Sequence, residues 1–253
     1  MPELAELHLM SEYIQKYVNL EIDKIEQVGD CKVKFDQKLY KPSRLINATS
    51  RGKELKLDFN CSSILCTMGM SGNWSSNIQK HSRLIIYFKR GQILTLTDPR
   101  RFAKWKWSIN WSPNRSPDPL KESIQWKQDF KDKLSKLKKD KCLAEILMDQ
   151  SWCNGIGNYL RAEILYRSDL NPFSSVKSLK KSELELLFKT VAETCEQSLI
   201  IGGGQFLTFK NPNGQTSYIN KFKDWLQCYS QPNMSVIDIK GRKLWYNSKW
   251  NNE

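Results

Sequence analysis

The sequence predicts an α+β chain in two domains: an N-terminal helix with an antiparallel β-sandwich, then a helical domain that ends in a β-hairpin. Three observations predict it. Short strand-like runs fill residues 20 to 108, helical spacing dominates from 121 to about 201, and Pro113, Pro117 and Pro119 mark a linker between them. The expected domains are therefore 1–112 and 113–253, with the hairpin at about 225–250.

From Glu3 to about Val18, Leu4, Leu7, Ser11, Ile14 and Val18 recur at helical spacing, with Ser11 the weakest member. Arg44–Thr49 reads as a strand and Arg51-Gly52 as a turn. Lys53-Glu54-Leu55-Lys56-Leu57-Asp58-Phe59 alternates charged with apolar residues, as a half-buried strand does. Ser63–Met68, Arg83–Phe88 and Gln92–Thr97 follow as strands, which suggests a sandwich or flattened barrel. Gly69-Met70-Ser71-Gly72 is a loop between strands. Asp98-Pro99-Arg100-Arg101-Phe102 is a second loop, leading to a strand with Trp105 and Trp107.

Lys121 to Lys141 reads as a helix with eight Lys against four acids. Leu143, Ile146 and Leu147 make an apolar helix face that Asp149–Gly157 breaks. A new helix starts at Asn158, and another spans Ser182–Leu199. Gly202-Gly203-Gly204 reads as a hinge, Asn211-Pro212-Asn213-Gly214 as a turn and Phe222–Cys228 as a short helix. The tail Val236–Tyr246 holds two strands about a Lys240-Gly241-Arg242 turn.

Forty Lys and Arg against 27 Asp and Glu give a formal net charge of +13, which favours a polyanionic partner, nucleic acid first. A basic solvated surface is the plainer alternative. Nine Trp among basic residues also suit stacking on bases. No run nears ~18 apolar residues, so no membrane span is expected, and no signal peptide is read at the start. The seven Cys are scattered without a C-x-x-C pair, and His8 and His81 are the only histidines. That pattern fits free thiols in a reducing compartment. It argues against a zinc site and against a Ser-His-Asp triad. No metal and no cofactor are expected.

The chemistry could begin at Met1-Pro2-Glu3-Leu4-Ala5-Glu6. Removal of Met1 would leave Pro2 as a secondary amine with a pKa near roughly 8, partly uncharged at neutral pH and able to form an iminium. Glu3 could supply a proton if burial raises its pKa. Pro followed by Glu is equally an ordinary helix start. The Gly-rich turn before Asn158 could form a phosphate-binding nest, although such helix pairs also serve simply as packing units. Arg242 at the hairpin could grip a phosphate, and Lys53 could reach a groove between the domains. Alone, either would be read as a solvated charge.

Taken in order, Pro2-Glu3…Glu6, Arg51-Gly52-Lys53, Gly69-Met70-Ser71-Gly72, Asp98-Pro99-Arg100-Arg101-Phe102 and Asp149-Gln150…Gly155-Ile156-Gly157-Asn158 resemble the formamidopyrimidine-DNA glycosylase and endonuclease VIII (Fpg/Nei) family. The likeness covers nearly the whole chain. Asn158–Tyr166 and the tail around Trp225, Cys228-Tyr229, Pro232, Met234 and Gly241-Arg242 resemble its endonuclease VIII-like 1 branch. There the helical domain is a helix-two-turn-helix, and the hairpin is a "zincless finger" that keeps its shape without metal.

The resemblance implies Pro2 as nucleophile at C1′ of a damaged nucleotide, Glu3 as proton shuttle and Lys53 as a phosphate contact near the lesion. It implies that Asn158 and Arg242 hold flanking phosphates. Met70, Arg100 and Phe102 would fill the gap left by a flipped base, and Glu6 would lie near that base. The chemistry suits the task, since a base inside a duplex must leave the stack to be reached, and apolar wedges can fill the void. Pro2 iminium formation would then acidify the C2′ proton and open β,δ-elimination.

Leu4-Ala5 stands where the common family start has Gly-Pro, and the stretch from Gly202 to Tyr218 matches no one substrate class. Oxidised pyrimidines, formamidopyrimidines, hydantoins and 8-oxoguanine therefore stay open. The expected partner is damaged DNA, duplex or bubble, bound by a monomer away from membranes, inside the cell and in the nucleus of a eukaryote. A non-catalytic DNA-binding module of the same fold is the alternative; it would need neither Pro2 nor Glu3. An RNA-binding or ribosome-associated protein would leave the strand-rich half unexplained.

Overall fold

A computed structural model describes residues 2–204 and 218–251. The chain divides into two compact units. One runs to Pro113 and takes in Gly202–Gly204; the other comprises Asn114–Ile201 and the residues from Ile219 onward. The return of Gly202 to the first unit departs from the simple two-block division expected from the Pro-rich stretch.

The first unit begins with α1, Leu4–Ile14. This helix stops earlier than its apolar spacing suggests. A 3-10 turn, Gln15–Tyr17, carries the chain on, and Asn19 ends it at φ 67°. Asn tolerates that left-handed conformation better than most residues. Eight strands follow: β1 Ile22–Gln27, β2 Leu45–Arg51, β3 Glu54–Phe59, β4 Ser63–Thr67, β5 Asn73–Ser75, β6 Ser82–Phe88, β7 Ile93–Thr97 and β8 Lys104–Trp107. They form two antiparallel sheets of order β1-β6-β7-β5 and β2-β3-β4-β8. The alternation read in β3 holds, with Leu55, Leu57 and Phe59 turned to the core. Leu7, Met10 and Ile14 of α1 join them in one cluster with Ile64, Trp74, Leu84, Ile86, Leu94 and Leu96.

Arg51 pairs with Glu54, so the β2–β3 turn is Gly52-Lys53. Gly52 takes φ 55°, the positive first position of a type II′ hairpin. Lys53 thus lies in the turn rather than opening the strand.

The second unit holds α2 Ser123–Ser135, α3 Leu143–Met148, α4 Asn158–Ser168, α5 Lys181–Ile200 and α6 Tyr218–Trp225, then the hairpin β9 Ser235–Ile239 and β10 Arg242–Tyr246. Helix α2 is shorter than the Lys-rich run. Only Trp126 and Phe130 anchor it, packing on Trp152 and Phe188 with ring centroids 5.1–5.3 Å apart. Past Ser135, Lys136, Lys138 and Lys139 bring like charge and no comparable anchor. Helix α4 is the unit's centre, with Tyr159 to Leu165 all buried. The hairpin turn is Lys240-Gly241, both at positive φ (52° and 75°), as a type I′ turn demands. The final helix begins and ends before the expected Phe222–Cys228. The expected Asn211–Gly214 turn lies outside the described residues.

Candidate functional site

Pro2 and Glu3 stand at the positive end of α1, and both are buried. In the chain that still bears Met1, the Pro2 nitrogen is an amide and has no nucleophilic lone pair. Glu3 is the N-cap in a reciprocal capping box with Glu6. The Glu6 carboxylate, fully buried, accepts the Glu3 N–H at 2.5 Å and also the Gly204 N–H. Gly203 sits at φ 72°, and a Cβ there would lie 2.7 Å from Glu6 Oε1. One carboxylate thus holds both the first turn of the chain and the backbone at Gly204. Lys53 is half-buried in its hairpin turn. Its neighbour Glu54 is buried and accepts the Ser112 hydroxyl at 2.5 Å and its N–H at 3.3 Å.

Met70, Arg100 and Phe102 come together in the same unit. Buried Asp98 is the organiser. Its carboxylate accepts the Ser71 hydroxyl, the Arg100 N–H at 3.2 Å and the Ala103 N–H at 2.6 Å. Arg83 Nε donates to the Asp98 carbonyl at 3.2 Å. Gly69, at φ 56°, lets the Met70 loop touch the Phe102 backbone, because a Cβ there would be 2.5–2.6 Å from Phe102 atoms. The Arg100 guanidinium lies 4.9 Å from the Phe102 ring centroid. Arg100 and Phe102 are exposed, and Met70 is half-buried.

In the second unit, Asp149 and Gln150 build the turn before α4. The Asp149 carboxylate accepts the Ser151 N–H at 3.0 Å and hydroxyl at 2.7 Å. Gln150 accepts the Gly155 N–H at 3.0 Å and donates to the Ile156 carbonyl at 2.9 Å. Gly157 is the N-cap, and Asn158 opens the helix. Asn158 does not simply point outward: its Oδ1 accepts Arg161 Nη2 at 2.7 Å. The same Nη2 donates to the Lys243 carbonyl at 3.0 Å, beside Arg242. Arg161 and Arg242, with Lys141 and Lys240, line a cavity of about 320 Å3. Lys240 pairs with Glu145 at 2.8 Å and Lys141 with Asp149 at 3.0 Å.

The hairpin's approach hangs on Glu163 of α4. This buried carboxylate accepts the backbone N–H groups of Gln227, Cys228 and Tyr229 at 2.8–3.2 Å, and Arg167 pairs with it at 3.2 Å. Burial, with Glu163 beside it, pushes the Cys228 thiol up to about 12. Among the described residues no cluster of three or more His, Cys, Asp or Glu side chains is placed to hold a metal.

Sequence reasoning missed Arg161, Asp98 and Glu163 as organisers. For Glu163 a signal existed: an acid between Leu160 and Ile164 on a helix whose neighbours are apolar.

A β-sandwich headed by a helix, followed by a helix-two-turn-helix unit with a terminal hairpin, defines a known class of two-domain α+β protein. Residues 1–105 match the formamidopyrimidine-DNA glycosylase N-terminal domain, and residues 116–210 match the formamidopyrimidine-DNA glycosylase H2TH domain. Residues 219–249 match the segment described as "Endonuclease VIII-like 1, DNA bind". The chain belongs to the Fpg/Nei family, in its endonuclease VIII-like 1 branch. It is 29% identical to human endonuclease 8-like 1 over 97% of this chain and 72% of that protein. It is 28% identical to the formamidopyrimidine-DNA glycosylase of Histophilus somni strain 2336, over 86% and 85%. The fold is that of the MutM (Fpg) protein of Thermus thermophilus, with a TM-score of 0.86 at 19% identity over 98% of each chain. MutM in complex with DNA containing carbocyclic 8-oxo-G aligns at a TM-score of 0.84, 20% identical over the full length of both.

Proposed function

We propose that this chain is a bifunctional DNA glycosylase and abasic-site lyase of base excision repair, with Pro2 as its nucleophile. The observation that carries the reading is the Pro2-Glu3 pair at the head of α1, braced by Glu6. Once Met1 is removed, the Pro2 amine attacks C1′ of the damaged nucleotide. The C1′–N bond breaks and the base leaves with the bonding pair, taking up a proton. The sugar ring opens as O4′ accepts a proton from Glu3, leaving a Pro2 iminium. Loss of the C2′ proton sends electrons to the iminium and then expels the 3′ phosphate. A second proton loss at C4′ expels the 5′ phosphate. Lys53 balances phosphate charge near the lesion, Asn158 and Arg242 hold flanking phosphates, and Met70, Arg100 and Phe102 occupy the vacated stack. These steps run on the chain's own amine and carboxyl groups.

The substrate is damaged DNA carrying an oxidised base, and in a eukaryotic cell the nucleus is the site of action. Subcellular fractionation that left the protein entirely outside the nucleus would refute that location. The domain division that serves this chemistry places the catalytic head in about the first 112 residues and the phosphate grip in the rest.

Burial of Pro2 favours one competing reading, a DNA-binding module without chemistry. Borohydride trapping separates the two. An oligonucleotide with thymine glycol or an abasic site should give a covalent protein–DNA adduct that is lost in Pro2→Gly and when Met1 is retained. Absence of any adduct would leave only the binding module.

A further inference from the structure

The outer face of the β2-β3-β4-β8 sheet carries a second cavity, of about 500 Å3, lined among others by Val33, Leu65, Thr67, Phe102, Lys104 and Lys106. Strand register sets its floor. Leu65 pairs with Lys106, Thr67 with Lys104 and Lys56 with Leu65, so these side chains share one face. Solvent-facing sheet surfaces are usually open, but this one has walls. Lys56 lies 4.8 Å from the Trp111 ring centroid and donates to the Ile109 carbonyl at 3.2 Å, which folds the chain after β8 back across the sheet. Glu54 fixes Ser112 at the same edge. Lys32 and Val33 close the other side, with Lys32 Nζ 6.0 Å from the Phe102 ring centroid.

The chemistry of the lining is divided. Leu65, Val33, Ala103 and Phe102 offer an apolar interior, and the rim carries Lys32, Lys104 and Lys106. All three lysines are exposed, and none has an ion pair among the described residues. Arg101, also at the rim, is already held by Asp30. An apolar slot of this size inside a cationic rim fits a flat base with its phosphate. It is continuous with Phe102, which is 43% exposed beside the Met70 loop.

We infer that this cavity binds an unpaired nucleotide of the DNA, base inward and phosphate toward Lys104 and Lys106. The inference rests on the reading of the chain as acting on DNA and extends it to a second nucleotide besides the excised one. Binding of a fluorescent oligonucleotide with a short unpaired bubble is compared with binding of its fully paired counterpart. The intact protein should favour the bubble by about tenfold or more. Thr67→Tyr, which fills the cavity without changing charge, should abolish that preference and leave duplex affinity within about twofold. The exposed pair Lys104→Glu/Lys106→Glu, which avoids any packing change, should weaken bubble binding more than duplex binding. 2-Aminopurine in the bubble should change its fluorescence with the intact protein and not with Thr67→Tyr. No bubble preference in the intact protein, a preference that survives Thr67→Tyr, or equal losses on both DNAs with the lysine variant would each overturn the assignment. Borohydride trapping on duplex abasic DNA reads the catalytic proposal separately, since Thr67→Tyr should retain it whether or not the cavity takes a nucleotide.

Discussion

Arg161 donates one guanidinium nitrogen both to Asn158 Oδ1, at 2.7 Å, and to the Lys243 carbonyl, at 3.0 Å. The helix start and the hairpin strand are therefore positioned by one side chain, itself only 1% exposed. Arg161→Lys cannot span both acceptors with a planar fork. It should lower DNA affinity by about tenfold, roughly 1.4 kcal/mol, and flatten the salt dependence, as loss of the proposed phosphate contact Arg242 should. Borohydride trapping at saturating DNA should stay near the native level. A titration at several salt concentrations checks this, and unchanged affinity would remove Arg161 from the phosphate grip.

Asp98 joins the Met70 loop to the Arg100–Phe102 loop through Ser71. Asp98→Asn turns an acceptor-only group into one that also presents N–H to donors, and should cost about 2–3 kcal/mol of stability. With Met70, Arg100 and Phe102 acting as the proposed wedge, excision of a paired lesion should slow more than cleavage of a preformed abasic site. Single-turnover rates on the two substrates measure the ratio; equal losses would make Asp98 purely structural.

Asp149 carries a pH dependence. Burial pulls its pKa upward, but the Ser151 hydrogen bonds and the Lys141 ammonium outweigh it and hold the carboxyl below its usual range. A folded-state pKa below the unfolded one means the contribution is complete at neutral pH. It fades as the pH falls below the unfolded value, about 3.9, and through the lowered one. Asp149→Asn should therefore melt earlier than the native protein at pH 7, with the gap closing below about pH 4. Thermal denaturation across that range is the measurement.

The Glu163 carboxylate gathers three consecutive backbone N–H groups ahead of the hairpin. A chelator should leave melting and DNA binding unchanged, whereas Glu163→Gln should weaken the second unit by about 2–3 kcal/mol. Cys228, pushed up to about 12 by burial, should resist alkylation at neutral pH in the folded protein and react once Glu163 is replaced. Mass spectrometry of alkylated protein would decide it, and rapid native-state modification would contradict the burial argument.

What could be read beforehand was what local pattern encodes. The alternation of Lys53–Phe59 shows one strand facing a core, and the Lys240-Gly241 turn shows a hairpin. Neither β1 nor β5 stands out as a strand in the sequence, the three residues of β5 carrying too little periodicity, and α2 stops short of the Lys-rich run because lysines favour helix without anchoring it. Pro2, Glu3, Lys53, Asn158 and Arg242 stand out as candidates through ordered motifs, not through composition. The organisers do not: Arg161 meets its acceptor 82 positions away and Glu163 its donors 64 to 66 away. Nothing within a short window shows such partners.

Gly203 leaves no room for a side chain against the Glu6 carboxylate, and this bears on protein engineering. Chimeras that exchange residues 205–217 between relatives to test whether that stretch carries lesion preference should be spliced after Gly204. A donor segment that begins earlier and brings any larger residue to position 203 would push on Glu6 and so disturb the first turn of the chain, confounding a change of substrate with damage to the proposed nucleophile.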